Sequence, residues 1–369
     1  MRKTLLFPLI LFFSFSAFAG TTIIDSIYTG GVYRNYRIYV PSAYTGATAW
    51  PLIYNIHGYT SNAAAQQLYT NFDVIADTAH FLMVYPNATI YMGQPTWNSG
   101  FGMTVDDVGF LSVLIDSLDL TYNIDLDRVY SCGMSNGGFM SHTLACALSN
   151  RVAAIASVTG SMTTYQQSTC SPTHPMPVMQ IHGTADGTVP YGGSSGVMNI
   201  DTLVKYWYAG DHCNPVPAYN AVPDINTSDG ATADHYVWSG GDNGSTVELY
   251  KINGGGHTWP GMYPIGVTCE DFNASEKIWL FFRKYKLSQL LSVNDLTEEN
   301  SFELYPNPSE NTVTVNGKNI SSIRIFDMNG RLVKESREKA LDVSALTKGV
   351  YSVVVFSGGK SSVKKFVKI

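Results

Sequence analysis

The chain has 369 residues, of which 45% are hydrophobic and 14% charged, and its formal net charge is -6. That length holds one large domain and one small one, and the composition excludes general disorder. The acidic balance argues against a nucleic-acid binder.

The chain opens MRKTLLFPLILFFSFSAFAG. Arg2 and Lys3 precede a short apolar run, and Ala17-Phe18-Ala19 is a small-x-small cleavage site, so residues 1–19 are expected to be an export signal peptide. The run is too short for a comfortable membrane span, and no later stretch is apolar enough to make one. From residue 20 to about 288, strand-like and helix-like segments alternate. YRIYVP, PLIYNIHG, LMVYP, RVYSCG, AAIASVTG, PVMQIHG and VELYKI read as strands, and VGFLSVLIDSLDL and FMSHTLACALS as helices. That alternation predicts an α/β fold with a mostly parallel sheet covered on both faces. Its chemistry should then collect at the carboxyl ends of the strands. Asp106 and Asp107 open one helix and read as a cap and a dipole partner rather than a metal pair. SEKIWLFFRKY (275–285) reads as a closing helix, followed by a linker at 289–300. All five cysteines precede this linker and none forms a C-x-x-C pair, which argues against structural zinc. In an exported protein they are expected to pair, with one left over.

The informative segment is GMSNGG, residues 133–138, which places Ser135 between a strand and a helix. That is the context of a nucleophile elbow. The serine occupies a very tight turn, and its neighbours two residues away must be tiny for strand and helix to approach. A second G-x-S-x-G, around Ser194, has no strand before it and reads as a loop. A serine hydroxyl needs a base oriented by an acid. Of eight histidines, His257 stands out, because INGGGHTWPG puts it in a glycine-rich loop after a late strand. His57 and His182 end apolar strands and read as structural or pocket-wall groups. Asp186, just past the strand end His182-Gly183, is the candidate acid, and the chain order Ser135, Asp186, His257 is that of α/β-hydrolases. Two donors should hold an oxyanion: the backbone N–H of Asn136 and that of Tyr59, in the loop NIHGYTSN.

NIHGYTSN, WNSGFG, VDDVGF, GMSNGGFM, HGTADGTVPY and GGGHTWPG together resemble the secreted esterases that include polyhydroxybutyrate depolymerases, feruloyl esterases and acetyl-xylan esterases of carbohydrate esterase family 1. The resemblance spans roughly residues 30–285. It implies an α/β-hydrolase fold without a large cap, no cofactor, no metal, and ester hydrolysis through an acyl-enzyme on Ser135, Asp186 and His257. Trp97 and Trp259 lie beside the family's motifs and read equally as walls for an acyl group or as core. The family's habit of bridging the helix behind the elbow maps to Cys146–Cys170. Cys213–Cys269 would then be a second bridge, leaving Cys132 as a buried thiol. Helix and strands already fill the stretch between Ser135 and Asp186, so an open site suited to a polymer chain is expected. A serine peptidase of the same fold and a non-catalytic surface binding protein remain the alternatives.

The last segment differs in charge. Residues 1–300 carry 12 Lys/Arg against 23 Asp/Glu, and residues 301–369 carry 11 against 6. It reads as all strand, with hairpin signals at Asn329-Gly330 and Gly358-Gly359 and a small sandwich of about six or seven strands. ELYPNPSENTVTV, IRIFDMNGRLV, LDVSALTKGVYSVVV and KKFVKI resemble the C-terminal sorting domain of the type IX secretion system. This resemblance implies passage through the outer membrane, the secretion machinery as a partner, and a secreted or cell-surface location. The bland reading is an ordinary binding β-module.

Overall fold

A computed structural model describes residues 19–291, 302–317, 319–327, 331–357 and 360–369. The expected signal peptide, most of the linker and both hairpin dipeptides lie outside the described residues. The chain divides into two compact units, residues 1–291 and 292–369.

In the first unit the strands are β1 Thr21–Thr29, β2 Val32–Val40, β3 Trp50–Ile56, β4 Leu82–Pro86, β5 Thr89–Tyr91 and β6 Gln94–Thr96, then β7 Ile124–Met134, β8 Ala154–Val158, β9 Val178–Gly183, β10 Ala218–Ala221, β11 Thr232–Trp238 and β12 Val247–Asn253. The helices are α1 Ala63–Thr70, α2 Phe72–Ala79, α3 Asp107–Asp119, α4 Asn136–Ala147, α5 Thr164–Thr169, α6 Ile200–Gly210, α7 Ala274–Phe282 and α8 Leu287–Leu291. Ten strands form one sheet in the order β1-β2-β4-β3-β7-β8-β9-β12-β11-β10, while β5 and β6 form a separate hairpin. The six strands from β4 to β12 pair in parallel. Antiparallel β2-β1 and β11-β10 extend the two ends.

The centre of the sheet is buried on both faces, so its strands are mostly apolar rather than alternating, with buried polar residues such as Asn55, Gln180 and His182 among them. Leu52, Tyr54 and Ile56 of β3 pack with α3, α4 and α6 on one face, while Ile53 packs with α2, α7 and α8 on the other. Successive residues of a strand point to opposite faces, which makes two cores from one strand. Short polar residues start the helices: Asn62, Asn199 and Asn273 each accept an amide in the first turn of α1, α6 and α7. Asp106 caps α3 through the Gly109 amide.

Asp107 does something the sequence did not announce. It is buried and pairs with Arg34 at 2.6 Å, while its other oxygen accepts the Asn98 amide at 2.7 Å. The Arg34 guanidinium lies 4.0 Å from the Phe110 ring centroid. Burial pushes the Asp107 carboxyl above its ordinary range despite Arg34 and Asn98.

Cys146 and Cys170 form a disulfide. The expected Cys213–Cys269 bridge is absent, and both are buried free thiols, as is Cys132. The reason is topological: Cys213 packs in the core on one face of the sheet and Cys269 in the core on the other.

Among its described residues the second unit holds seven strands: β13 Glu303–Tyr305, β14 Thr312–Asn316, β15 Ile320–Phe326, β16 Leu332–Ser336, β17 Ala340–Asp342, β18 Gly349–Ser357 and β19 Lys360–Lys368. They make antiparallel sheets β13-β14-β17 and β16-β15-β18-β19. Alternate residues such as Val313, Val315, Val353 and Val355 from both sheets share one core, the sandwich arrangement.

Candidate active site

Ser135 follows β7 directly and begins α4 with φ 55° and ψ -122°. An L-residue adopts that region only when its surroundings force it, and such strain collects at functional sites. The surroundings here are glycines. A Cβ on Gly137 would overlap the Ile56 carbonyl, and one on Gly133 would come within 2.5 Å of Gly137. A larger residue at either position would push α4 off the sheet. Ser135 occupies the cap position of α4 yet makes no side-chain capping bond, so its hydroxyl is left available. The amide of Asn136 is one of the first-turn donors that a helix leaves unsatisfied.

The loop after β3 passes beside this serine, and a Cβ on Gly58 would lie 3.3 Å from the Ser135 Cβ. His57 fixes this loop. Its ring is buried, the Ala88 amide donates to Nε2 at 3.1 Å, and Nδ1–H therefore donates to the Gly58 carbonyl at 2.7 Å. The Ser61 amide donates to the same oxygen. In a planar trans peptide the C=O and N–H point in opposite directions. The Tyr59 amide is thus turned away from the His57 ring. The Asn136 side chain ties in a third loop: it accepts the Trp97 amide at 2.8 Å and donates to Ser99 Oγ at 2.7 Å.

Asp186 and His257 meet across the ends of β9 and β12. His257 Nδ1 donates to Asp186 Oδ2 at 2.7 Å, and the amides of Thr188 and Val189 donate to Oδ1 at 2.8 and 2.9 Å. Burial raises the Asp186 carboxyl, but His257 and these amides outweigh it and hold the group below its ordinary range. Among the described hydrogen bonds none joins Ser135 Oγ to His257.

Ser135 is partly exposed at the floor of a cavity of about 450 Å³. Tyr59, Tyr91, Met92, Phe101, Phe139 and Val189 are among its walls. Between Ser135 and Asp186 lie only α4, β8, α5 and β9, and the described residues form no helical cap. The loops on this side are free of full charges: residues 57–71, 81–105, 134–150, 187–200 and 254–269 contain no Asp, Glu, Lys or Arg.

Trp97 and Trp259 are not walls of this cavity. Both are completely buried, because each indole N–H has a buried acceptor, the His57 carbonyl for Trp97 and Ser275 Oγ for Trp259. The walls themselves come mainly from the β5–β6 hairpin and the loop after Asp186. The hairpin carries no period or motif that marks it in sequence, and the loop after Asp186 begins inside HGTADGTVPY, a motif read for its aspartate. Ser194, the decoy serine, lies in one of these walls, in a turn closed by Ser194 and Val197.

Among the described residues, Asp229, Cys269 and Asp271 converge elsewhere. Their carboxylates already accept the amides of Ala231, Glu270, Ile225 and Asn226, the bonding of a polar turn.

Burial also sets the acid stability of the site. It pulls the rings of His57 and His142 down to about 4. A histidine whose folded pKa lies below its unfolded value of about 6.5 leaves stability intact above that pH. The stability is lost as pH falls from about 6.5 toward 4, by roughly 3 kcal/mol for each ring. The urea midpoint should fall through that window, and His142→Gln should flatten the slope. Equal slopes in wild type and variant would contradict this.

Residues 51–207 match the phospholipase/carboxylesterase family, and residues 303–369 match the secretion system C-terminal sorting domain. The bifunctional acetylxylan esterase/xylanase of Neocallimastix patriciarum is 28% identical over 237 residues, 64% of this chain and 33% of that protein. Feruloyl esterase B of Piromyces equi is 30% identical, over 61% of this chain and 42% of that protein. Poly(3-hydroxyalkanoate) depolymerase C of Paucimonas lemoignei is 26% identical, over 70% of this chain and 67% of that protein. The chain therefore spans less than half the length of the two fungal relatives. An acetyl xylan esterase from Aspergillus awamori superposes with a TM-score of 0.52 at 15% identity, over 72% of this chain and 99% of that one, which shows a shared fold. The first unit is an α/β-hydrolase with relatives among these esterases. The second is a type IX sorting domain, which directs the chain out of the cell.

Proposed function

We propose that this protein is an exported serine hydrolase of carboxylic esters borne on an extracellular polymer or its fragments. The observation that carries the reading is Ser135 on its strained turn, with a free hydroxyl, at the floor of an open cavity. The His257–Asp186 pair, on the neighbouring strand ends, supports it.

In this reading His257 Nε2 takes the Ser135 proton as Oγ attacks the ester carbonyl. Asp186, already ionised and bonded to Nδ1–H, orients the ring and stabilises the imidazolium. The amides of Asn136 and Tyr59 hold the developing oxyanion. His257 returns the proton to the leaving alcohol, and a water deprotonated by His257 then releases the acid. The Ser135–His257 bond is not present in the resting geometry, and such bonds commonly tighten only when substrate is bound.

The acyl group is tested by side-by-side initial rates on methyl ferulate, acetylated xylan and a 3-hydroxybutyrate oligomer, with Ser135→Ala as the blank. At least one ester should turn over well above the blank. Turnover of matched amides but not esters would replace this reading with a peptidase. No turnover, with no labelling of Ser135 by a fluorophosphonate, would leave a binding protein.

A further inference from the structure

Behind the Asp186–His257 pair runs a buried row of polar side chains that the proposed mechanism does not use. We propose that Gln180 is a positioning residue: it holds His182 as a neutral ring, so that the negative charge of Asp186 serves His257 alone. The inference rests on the reading of His257 as the base.

Gln180 and His182 are both on β9, two residues apart, on one face of the sheet and fully buried. The orientation of the Gln180 amide follows from its partners. Its Nε2 lies 2.9 Å from the Gly160 carbonyl, which can only accept. Its Oε1 lies 3.2 Å from His142 Nε2, which must then carry the proton. The second hydrogen on Nε2 points to His182 Nδ1 at 3.1 Å. A nitrogen that accepts a hydrogen bond carries no proton, so Nδ1 of His182 is bare. The ring's proton is therefore on Nε2, which lies 2.8 Å from the Val189 carbonyl and 3.5 Å from Asp186 Oδ2. A neutral N–H thus anchors Val189, whose own amide bonds Asp186 Oδ1.

A second positive ring at this position would compete with His257. It would stabilise the Asp186 carboxylate and disfavour the His257 imidazolium that the reaction must form. The other groups facing His182 pull in both directions, and burial and His257 favour the neutral ring alongside the Gln180 bond. From its own loop comes Asp186, which favours a charged ring, and Tyr191, edge-on at 5.9 Å. From β12 and its loop come His257 and Lys251, the latter in register with His182 and 5.2 Å from the Tyr191 ring. Strand β8 contributes no titratable group, and His142 of α4 reaches His182 only through Gln180. Burial pulls the His182 ring down, in the same direction as the Gln180 bond.

Two measurements test the assignment. Long-range 1H–15N correlation on the wild-type protein reads the tautomer directly, with His182→Gln to identify the ring. At pH 7 His182 should show a bare Nδ1 and a protonated Nε2, and it should stay neutral below the ordinary histidine range. A protonated Nδ1 at pH 7 would overturn the proposal, whatever the variants do. The second measurement uses Gln180→Glu, which keeps the shape but replaces the donor with an acceptor. His182 Nδ1 must then take up a proton, while Val189 still requires the one on Nε2. The ring should become cationic, and the acid limb of the kcat/KM profile should move down by roughly one pH unit. A new anion acting alone would move that limb up, so the sign separates the two causes. An unmoved or raised limb in a folded variant would also overturn the proposal. The tautomer measurement needs no turnover. An active Ser135→Ala therefore refutes the esterase reading, and a wrong tautomer refutes this one.

Discussion

Ser135→Ala should lower ester turnover by a factor on the order of 10⁶ while leaving the thermal transition in place. Both halves follow from the elbow. In the proposed mechanism Ser135 is the nucleophile, so its loss leaves only what binding and the two proposed oxyanion amides provide. The fold, by contrast, loses little. Alanine carries the same Cβ as serine, so the positive φ of residue 135 is no more strained than before, and the hydroxyl caps nothing in α4. The pairing of Asp186 with His257 does not depend on residue 135. The check is a rate ratio on whichever ester the panel selects, alongside melting curves. A variant within tenfold of wild type would remove Ser135 from the mechanism. A variant that melts far below wild type would mean that the serine is a structural residue.

The second large effect should come from a residue with no part in the chemistry. Arg34→Met should destabilise the first unit by about 3–5 kcal/mol, because it leaves Asp107 buried without its cation. The melting temperature should fall by roughly 10 °C. Methionine retains much of the apolar stem over Phe110, so the loss reports the charge rather than the volume. Arg34 also donates to the Asn87 carbonyl, and Asp107 holds the Asn98 amide. Asn98 in turn donates to the carbonyls of Met103 and Val105. The pair therefore anchors both ends of the 87–105 segment, from which the cavity takes Tyr91, Met92, Phe101 and Met103. Activity at temperatures below the transition should fall as well. An unchanged melt would mean that Asp107 takes up a proton at little cost.

The candidates legible in the sequence are those for which chemistry dictates residue type and backbone freedom. Ser135 could be separated from Ser194 because only one of them stands between an apolar strand and a helix. Its glycines could be read because sterics leave no alternative. His257 and Asp186 were chosen by strand order, and the structure brings the two side chains together. What failed depended on the third dimension. Two tryptophans beside the motifs gave no sign of whether their indole nitrogens would find buried acceptors, and both did. Cys213 and Cys269 were paired from the family resemblance, but which face of a sheet a loop returns to is not written locally. The Arg34–Asp107 pair spans 73 positions and appears in sequence as an ordinary strand arginine and a helix-start acid. The antiparallel strands β1 and β10 were missed because edge strands carry a weaker apolar signal than the doubly covered centre.

The loops around the cavity hold aromatic and aliphatic side chains but no full charge, and this has a consequence in brine. Attraction between fixed charges fades over about 8 Å at physiological ionic strength and over about 3 Å in molar salt. A surface that grips its substrate without such charges has nothing for salt to screen, and salts that are excluded from apolar surfaces strengthen its hold. KM on the preferred ester should therefore stay level or fall as sodium chloride is raised toward one molar, where a charge-steered hydrolase would lose its grip.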